Sequence, residues 1–231
     1  MRNFYITLSA FLAVATFYAQ NNTDTELDKK VLKQALIYAD SDVAKKSMYD
    51  IIAKEGENST YKDSLAYLYF NDRRFSSCFM VCTDILSRDG SKQEILEMQA
   101  ISLENMGAYE KAAQSYAKLT VKTKNNYHAY KLANLYYAIK KYDEAYKAIQ
   151  KALELKDTGE IKVTYAVNKN YQQQVALLAA ISNLKGLIEF EQDKMDLAKA
   201  SFQKAVEIQE DFVLAKENLQ AVIDGNQVKK E

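Results

Sequence analysis

The sequence predicts an all-α fold, a stack of antiparallel helix pairs with a pitch near 34 residues. Three observations predict it. The 231-residue chain has six glycines and no proline. Nothing therefore bars helix over long stretches, and few turns are expected to need special backbone angles. Sandwiches and barrels, which spend such residues on turns, are disfavoured. Hydrophobic content of 48% is enough for a core and excludes a wholly disordered chain. Most specific of all, three stretches share one pattern in register.

In that pattern a small residue is followed three positions on by an apolar one, nine on by an aromatic, and twelve on by another small residue. The first stretch carries Ala66, Phe75 and Cys78, the second Ala100, Tyr109 and Ala112, the third Ala133, Tyr142 and Ala145. Small residues on facing helices let two backbones approach. The aromatic is expected to wedge the turn. Tyr116 and Leu119, or Ile149 and Ala152, then continue one face of the second helix at i, i+4, i+7. One pair cannot bury its face alone, so neighbours must stack.

Taken in order, the chain begins with Arg2 and an uncharged, mostly apolar run from Phe4 to Tyr18. This has the composition of a signal peptide over 1–19, short for a membrane span, with cleavage after Ala19 or at the earlier small-residue site Ala13-Val14-Ala15. An uncleaved anchor or a buried first helix is the alternative. Export to the periplasm or envelope of a Gram-negative-type bacterium is the corresponding expectation. A linker is expected over 20–27 and a loose first pair over 28–54, where Ala44 lies one pitch before Cys78. Regular pairs follow at 59–90, 93–124 and 126–157. Cys78 and Cys82 are the only cysteines. Four apart on one helix, their Cβ vectors run parallel, so two buried thiols are expected rather than a disulfide.

The pitch breaks over 158–175, since Ala198 follows Ala145 by 53 residues instead of 34. Ile161 to Val167 alternates apolar and other residues. Asn168-Lys169-Asn170 reads as a turn or a helix start, and Gln172-Gln173-Gln174 is expected to open a helix running to about Gln192. The segment is either a plain surface loop or degenerate helix, or an arm that meets a partner. A last pair over 179–212, a terminal helix over 211–224 and a tail over 225–231 complete the chain.

These positions resemble the tetratricopeptide repeat, best in Asn126 to Asp157 and again around Gly186, Ala198, Phe202 and Ala205. The resemblance implies a right-handed superhelix of four to five repeats, whose concave groove is lined by the first helix of each pair. Mapped onto this chain, the groove residues are Asp63, Tyr67, Phe70 and Asn71, then Glu94, Glu97, Ile101, Glu104 and Asn105. Tyr127, Tyr130, Asn134 and Tyr137 follow, then Asn183, Leu187 and Phe190. Replacing Tyr130 and Tyr137 with alanine is expected to weaken partner binding and leave helicity intact. Members that grip a C-terminal carboxylate use basic residues with an asparagine. Here Asn134 is present, but Tyr130 and Ala138 stand where the basic residues would be, so no such clamp is expected. No repeat ends in the usual proline, and Lys185 and Glu189 occupy positions that should be apolar.

Catalytic chemistry finds no support. His128 is the only histidine, with no nucleophile or acid arranged around it. Zinc would need more His and Cys ligands. There is no GxGxxG, P-loop or HExxH. Paired acids such as Glu94 and Glu97 read as a solvated face. Lys+Arg and Asp+Glu are both 31, without the basic excess of a nucleic-acid binder. The expected role is protein or peptide binding by an exported adaptor without cofactor or metal. A self-associating envelope component, or a binder of a sugar or lipid, is the alternative.

Overall fold

A computed structural model describes residues 25–157 and 159–225. The expected leader over 1–19 and the tail beyond Gly225 lie outside the described residues. The chain divides into two compact units at Met98/Gln99. The first holds α1 (25–37), α2 (Ser41–Glu55), α3 (Tyr61–Asn71), α4 (Phe75–Arg88) and the start of α5 (Gln93–Asn105). The second holds the end of α5 and then α6 (Tyr109–Thr123), α7 (Asn126–Ala138) and α8 (Tyr142–Glu154). Strands β1 (Lys162–Asn168) and β2 (Tyr171–Ala176) follow, then α9 (Leu177–Glu191), α10 (Met195–Ile208) and α11 (Val213–Ile223). In the second unit each helix from α6 to α11 packs on the next, and α7 also meets α9, the contact of a helix-pair stack.

The repeat register is physical. Ala44, Ala66, Cys78, Ala100, Ala112, Ala133, Ala145 and Ala198 are all fully buried. Phe75 meets Phe70 edge-on at 6.2 Å, and Tyr142 lies 5.9 Å from Tyr137. Tyr109, at the equivalent position, stays 38% exposed and does not act as a buried wedge. Cys78 and Cys82 are buried thiols with Sγ atoms 3.8 Å apart. Their shared hydrogen bond, then burial, holds the Cys82 thiol far above its ordinary pKa, so it is not a thiolate nucleophile.

The expectation of few special turns fails in an informative way. Each first helix ends on a left-handed residue: Ala39, Arg73, Gly107, Lys140 and Asp193. They are spaced 34, 34, 33 and 53 apart: the first three intervals are the repeat pitch, and the last is the pitch lengthened by the segment that holds β1 and β2. At each turn the next residue's N–H donates five back to a carbonyl, as in Asp40 to Ala35 and Lys141 to Tyr136, satisfying carbonyls the helix end would orphan. Only one of the five is glycine. The bonding and the following helix hold four bulkier residues in a conformation that costs about 1 kcal/mol each.

In the first unit, Leu32, Met48, Ile51, Leu65, Tyr69 and Ile85 build the core. Lys45 crosses from α2 to Asp72 at the end of α3 at 2.5 Å, and Ser41 donates to the same carboxylate at 2.6 Å. The Lys45 and Ser41 hydrogen bonds hold Asp72 below the usual carboxylate range. Burial of the Lys45 ammonium opposes its charge, but Asp72 and Asp42 outweigh this and raise its pKa. The Asp72 contribution is therefore full above the ordinary aspartate value and lost as pH falls through the depressed one. That of Lys45 is full below the ordinary lysine value and lost as pH rises through the raised one. Urea midpoints should thus fall below about pH 4. Asp72→Asn should abolish up to about 1 kcal/mol of that acid loss. An unchanged acid limb in the variant would refute the assignment.

The segment 162–176 is an antiparallel hairpin, not the opening of a helix. Its turn is Lys169-Asn170, with the Asn170 N–H donating to the Asn168 side chain at 2.9 Å. Tyr165 and Val175 point inward, with the Tyr165 ring tilted against Phe212 at 5.0 Å between centroids. Gln173 is recruited away from any helix. Its Nε2 donates to the Asp211 carbonyl at 2.6 Å, and its Oε1 accepts from the Val213 N–H at 3.1 Å, capping α11. Helix α9 begins only at Leu177.

Candidate partner-binding site

In the first unit, α1, α3 and α5 line a cleft of about 820 Å³. Its floor is Met48, Leu68, Ile95 and Met98, and Leu36 and Tyr67 rise over it, 50% and 57% exposed. Amphipathic spacing explains the placement. Leu65 and Ala66 turn into the core, which leaves Ser64 and Tyr67 on the outer flank of α3. Asp63 and Glu94 provide acid, with Lys92 paired to Asp63. An apolar floor with a few polar groups is the usual build of a recognition site. Sequence reasoning missed the floor residues Met48, Leu68, Ile95 and Met98 and, on the rim, Leu36. The signal for Leu36 was an apolar residue just outside the buried stripe Leu32 and Ala35.

The other expected groove residues scatter. Asn71 is exposed, and Phe70, Glu97 and Ile101 are half-buried, none lining the cleft. In the second unit, Glu104 bonds Lys131 at 2.5 Å and accepts from the Tyr116 hydroxyl at 3.3 Å. Asn105 is exposed and donates to the Ile101 carbonyl at 2.8 Å. Tyr127 is half-buried between His128 and Tyr130, and Asn134, Tyr137 and Phe190 are half-buried too.

Three assignments need correction. Tyr130 is 2% exposed because the hairpin covers it, the Tyr130 and Tyr165 hydroxyls lying 3.0 Å apart. Asn183 is fully buried and accepts from Asn218 of α11 at 3.2 Å. Leu187 is fully buried. None of the three presents a side chain to a partner, and alanine at Tyr130 would perturb the hairpin before it reported on binding.

His128 is buried, with its Nδ1 2.8 Å from the Thr123 hydroxyl and its ring beside Tyr116. Among the described residues no cluster of three or more His, Cys, Asp or Glu is placed to hold a metal, and no helix is long and apolar enough to cross a membrane.

Helix pairs at a fixed pitch, closed by one repeated turn, define a helical-repeat protein. A sequence profile of the tetratricopeptide repeat matches residues 129–158 and 179–212. Those two stretches of the chain are tetratricopeptide repeats. Solved structures agree on the fold. MamA protein matches with TM-score 0.64 and 16% identity, over 82% of this chain and 93% of its own. MamA from Desulfovibrio magneticus RS-1, from residue 41 onward, matches with TM-score 0.60 and 14% identity, over 82% and 97%. YrrB, described as a TPR protein with an unusual peptide-binding site, matches with TM-score 0.65 and 13% identity, over 87% and 95%. No curated protein matches the chain by sequence.

Proposed function

We propose that the chain is a non-enzymatic adaptor, exported to the cell envelope, that grips a peptide segment of a partner protein in the α1/α3/α5 cleft. The observation that carries this is the exposure of Leu36 and Tyr67 above an apolar floor in which Met48 and Ile95 are buried and Leu68 and Met98 half-buried. Large aromatic and aliphatic side chains poised at a concave site are the usual anchors of binding energy. The Glu94 rim suits a basic residue on a segment whose apolar side chains enter the cleft. Peptide recognition by YrrB supports the class of ligand without fixing its sequence. Export rests on the Arg2 and Phe4–Tyr18 composition; recovery of envelope protein beginning near Gln20 checks it, and an intact Met1 end would refute it.

A photo-crosslinking residue at position 67 should capture a partner in the native cell, and one at exposed Lys46 should not. Leu36→Ala with Tyr67→Ala should then weaken that partner roughly tenfold or more, with helicity unchanged. Equal capture at both positions, or unchanged affinity in the double variant, would sink the cleft assignment.

A further inference from the structure

The hairpin has two edges, and they are treated differently. The Leu177 N–H donates to the Ile161 carbonyl at 3.1 Å. In the observed register this makes 163/175 and 165/173 the mutually bonded pairs. The alternate residues therefore turn their N–H and C=O groups outward. Gln209 shows the same phase from the β2 side. Its Nε2 donates to the Gln174 carbonyl at 3.1 Å, and its Oε1 accepts from the Ala176 N–H at 2.8 Å. A side-chain amide thus lies on β2 as a third strand would, and closes that edge.

The β1 edge has no such cover among the described residues. Lys162, Thr164 and Ala166 are exposed, and their outward backbone groups make no hydrogen bond there. Helix α9 meets both strands. Bare edges are normally blunted by proline, by several charges or by an early bulge. This one has no proline and one lysine, and its ladder becomes irregular only between Ala166 and Asn168.

We propose that this edge is a self-association strand, pairing antiparallel with residues 162–166 of a second copy about a two-fold axis through Thr164. The occupant follows from phase and charge. A second copy carries the same three outward residues at alternate positions, so its strand can satisfy all three on β1. Centred on Thr164, the pairing sets threonine against threonine and Lys162 against Ala166, forming six backbone hydrogen bonds. The single charge of the edge then faces a methyl group rather than its own copy. On the other face Val163 comes beside Tyr165 of the second copy, a β-branched and aromatic pairing that sheets favour. So short an interface is weak and transient. This inference is independent of the cleft and stands or falls without it.

Sedimentation of the full chain between roughly 10 and 500 µM tests it. The expected result is a monomer becoming a dimer across this range. Thr164→Pro should hold the chain monomeric, because it removes an outward N–H and no bond of the hairpin ladder. Should proline distort the hairpin, exposed Ala166 supplies the second test. Ala166→Glu places an acid opposite Lys162 and should tighten the dimer roughly three- to tenfold, while Ala166→Lys should weaken it by a similar factor. A chain monomeric throughout overturns the proposal and leaves the edge to some other extended segment. A dimer indifferent to Thr164→Pro, or one that responds alike to the two charges at 166, overturns it as well.

Discussion

Replacing Lys185 with methionine should lower the unfolding free energy by about 3 kcal/mol. The reason lies in the second unit, where Glu189 has no exposed surface at all. Its carboxylate is held by the Lys185 ammonium on the same helix and by the Ser201 hydroxyl on α10. Lys185 also donates to Ser201 at 3.0 Å and lies 5.8 Å from the Tyr146 ring of α8. The cluster ties three helices together through two charges that cancel. Without Lys185, an ionised carboxylate is left in the interior with one neutral donor. The reciprocal change is milder. Glu189→Gln keeps shape and one acceptor, and the Lys185 side chain, 21% exposed, can turn to water. Its cost should be about 1 kcal/mol. Lys185→Met with Glu189→Leu should recover most of the loss, since well-packed apolar replacements of buried ion pairs are often neutral. Urea unfolding of the four proteins measures this. Equal losses in the two single variants, or no recovery in the double, would show that the residues do not act as a pair.

That cluster also shows where sequence reasoning works and where it stops. The buried register was legible because it is local. A small residue facing a small residue twelve positions on must meet within one helix pair, and Ala66 and Cys78, or Ala133 and Ala145, are fully buried on consecutive helices. Lys185 and Glu189 looked like faults at apolar positions, because their compensation comes from each other and from Ser201, a neighbour on the next helix. The hairpin was hidden for the same reason. The alternation in Ile161 to Val167 was visible, but Gln172 to Gln174 reads equally well as a helix start. What decides it is Gln173 reaching Asp211 and Val213, residues 38 and 40 positions away. Once the hairpin forms, it covers Tyr130, so a groove mapped from the repeat pattern alone places that side chain wrongly. The left-handed turns are not legible in the sequence because four of the five residues are not glycine, the type by which such turns are read.

Gly186→Ala should destabilise the chain by about 2 kcal/mol, although alanine is the better helix former. Gly186 lies within α9, where glycine costs about 1 kcal/mol relative to alanine. Its retention there is explained by α10. A Cβ on residue 186 would stand 2.6 Å from Cε1 and 2.7 Å from Cδ1 of Phe202. That ring is fully buried, so it cannot swing into solvent to make room. The clash must be relieved by moving α9 away from α10, the helix pair that buries Ala198, Ser201 and Ala205. Overpacking of this kind costs up to about 3 kcal/mol, which outweighs the helix-propensity gain. The paired change separates the two contributions. Phe202→Leu alone should lose stability by leaving a void beside Gly186. In the Gly186→Ala background the same substitution should cost far less, because the smaller side chain accepts the new methyl group. A double-mutant cycle by thermal or urea unfolding gives the coupling between positions 186 and 202 directly. If the two losses add without coupling, the close approach of α9 to α10 is not what keeps glycine at this position. If Gly186→Ala proves stabilising, the ring has more freedom than its burial allows.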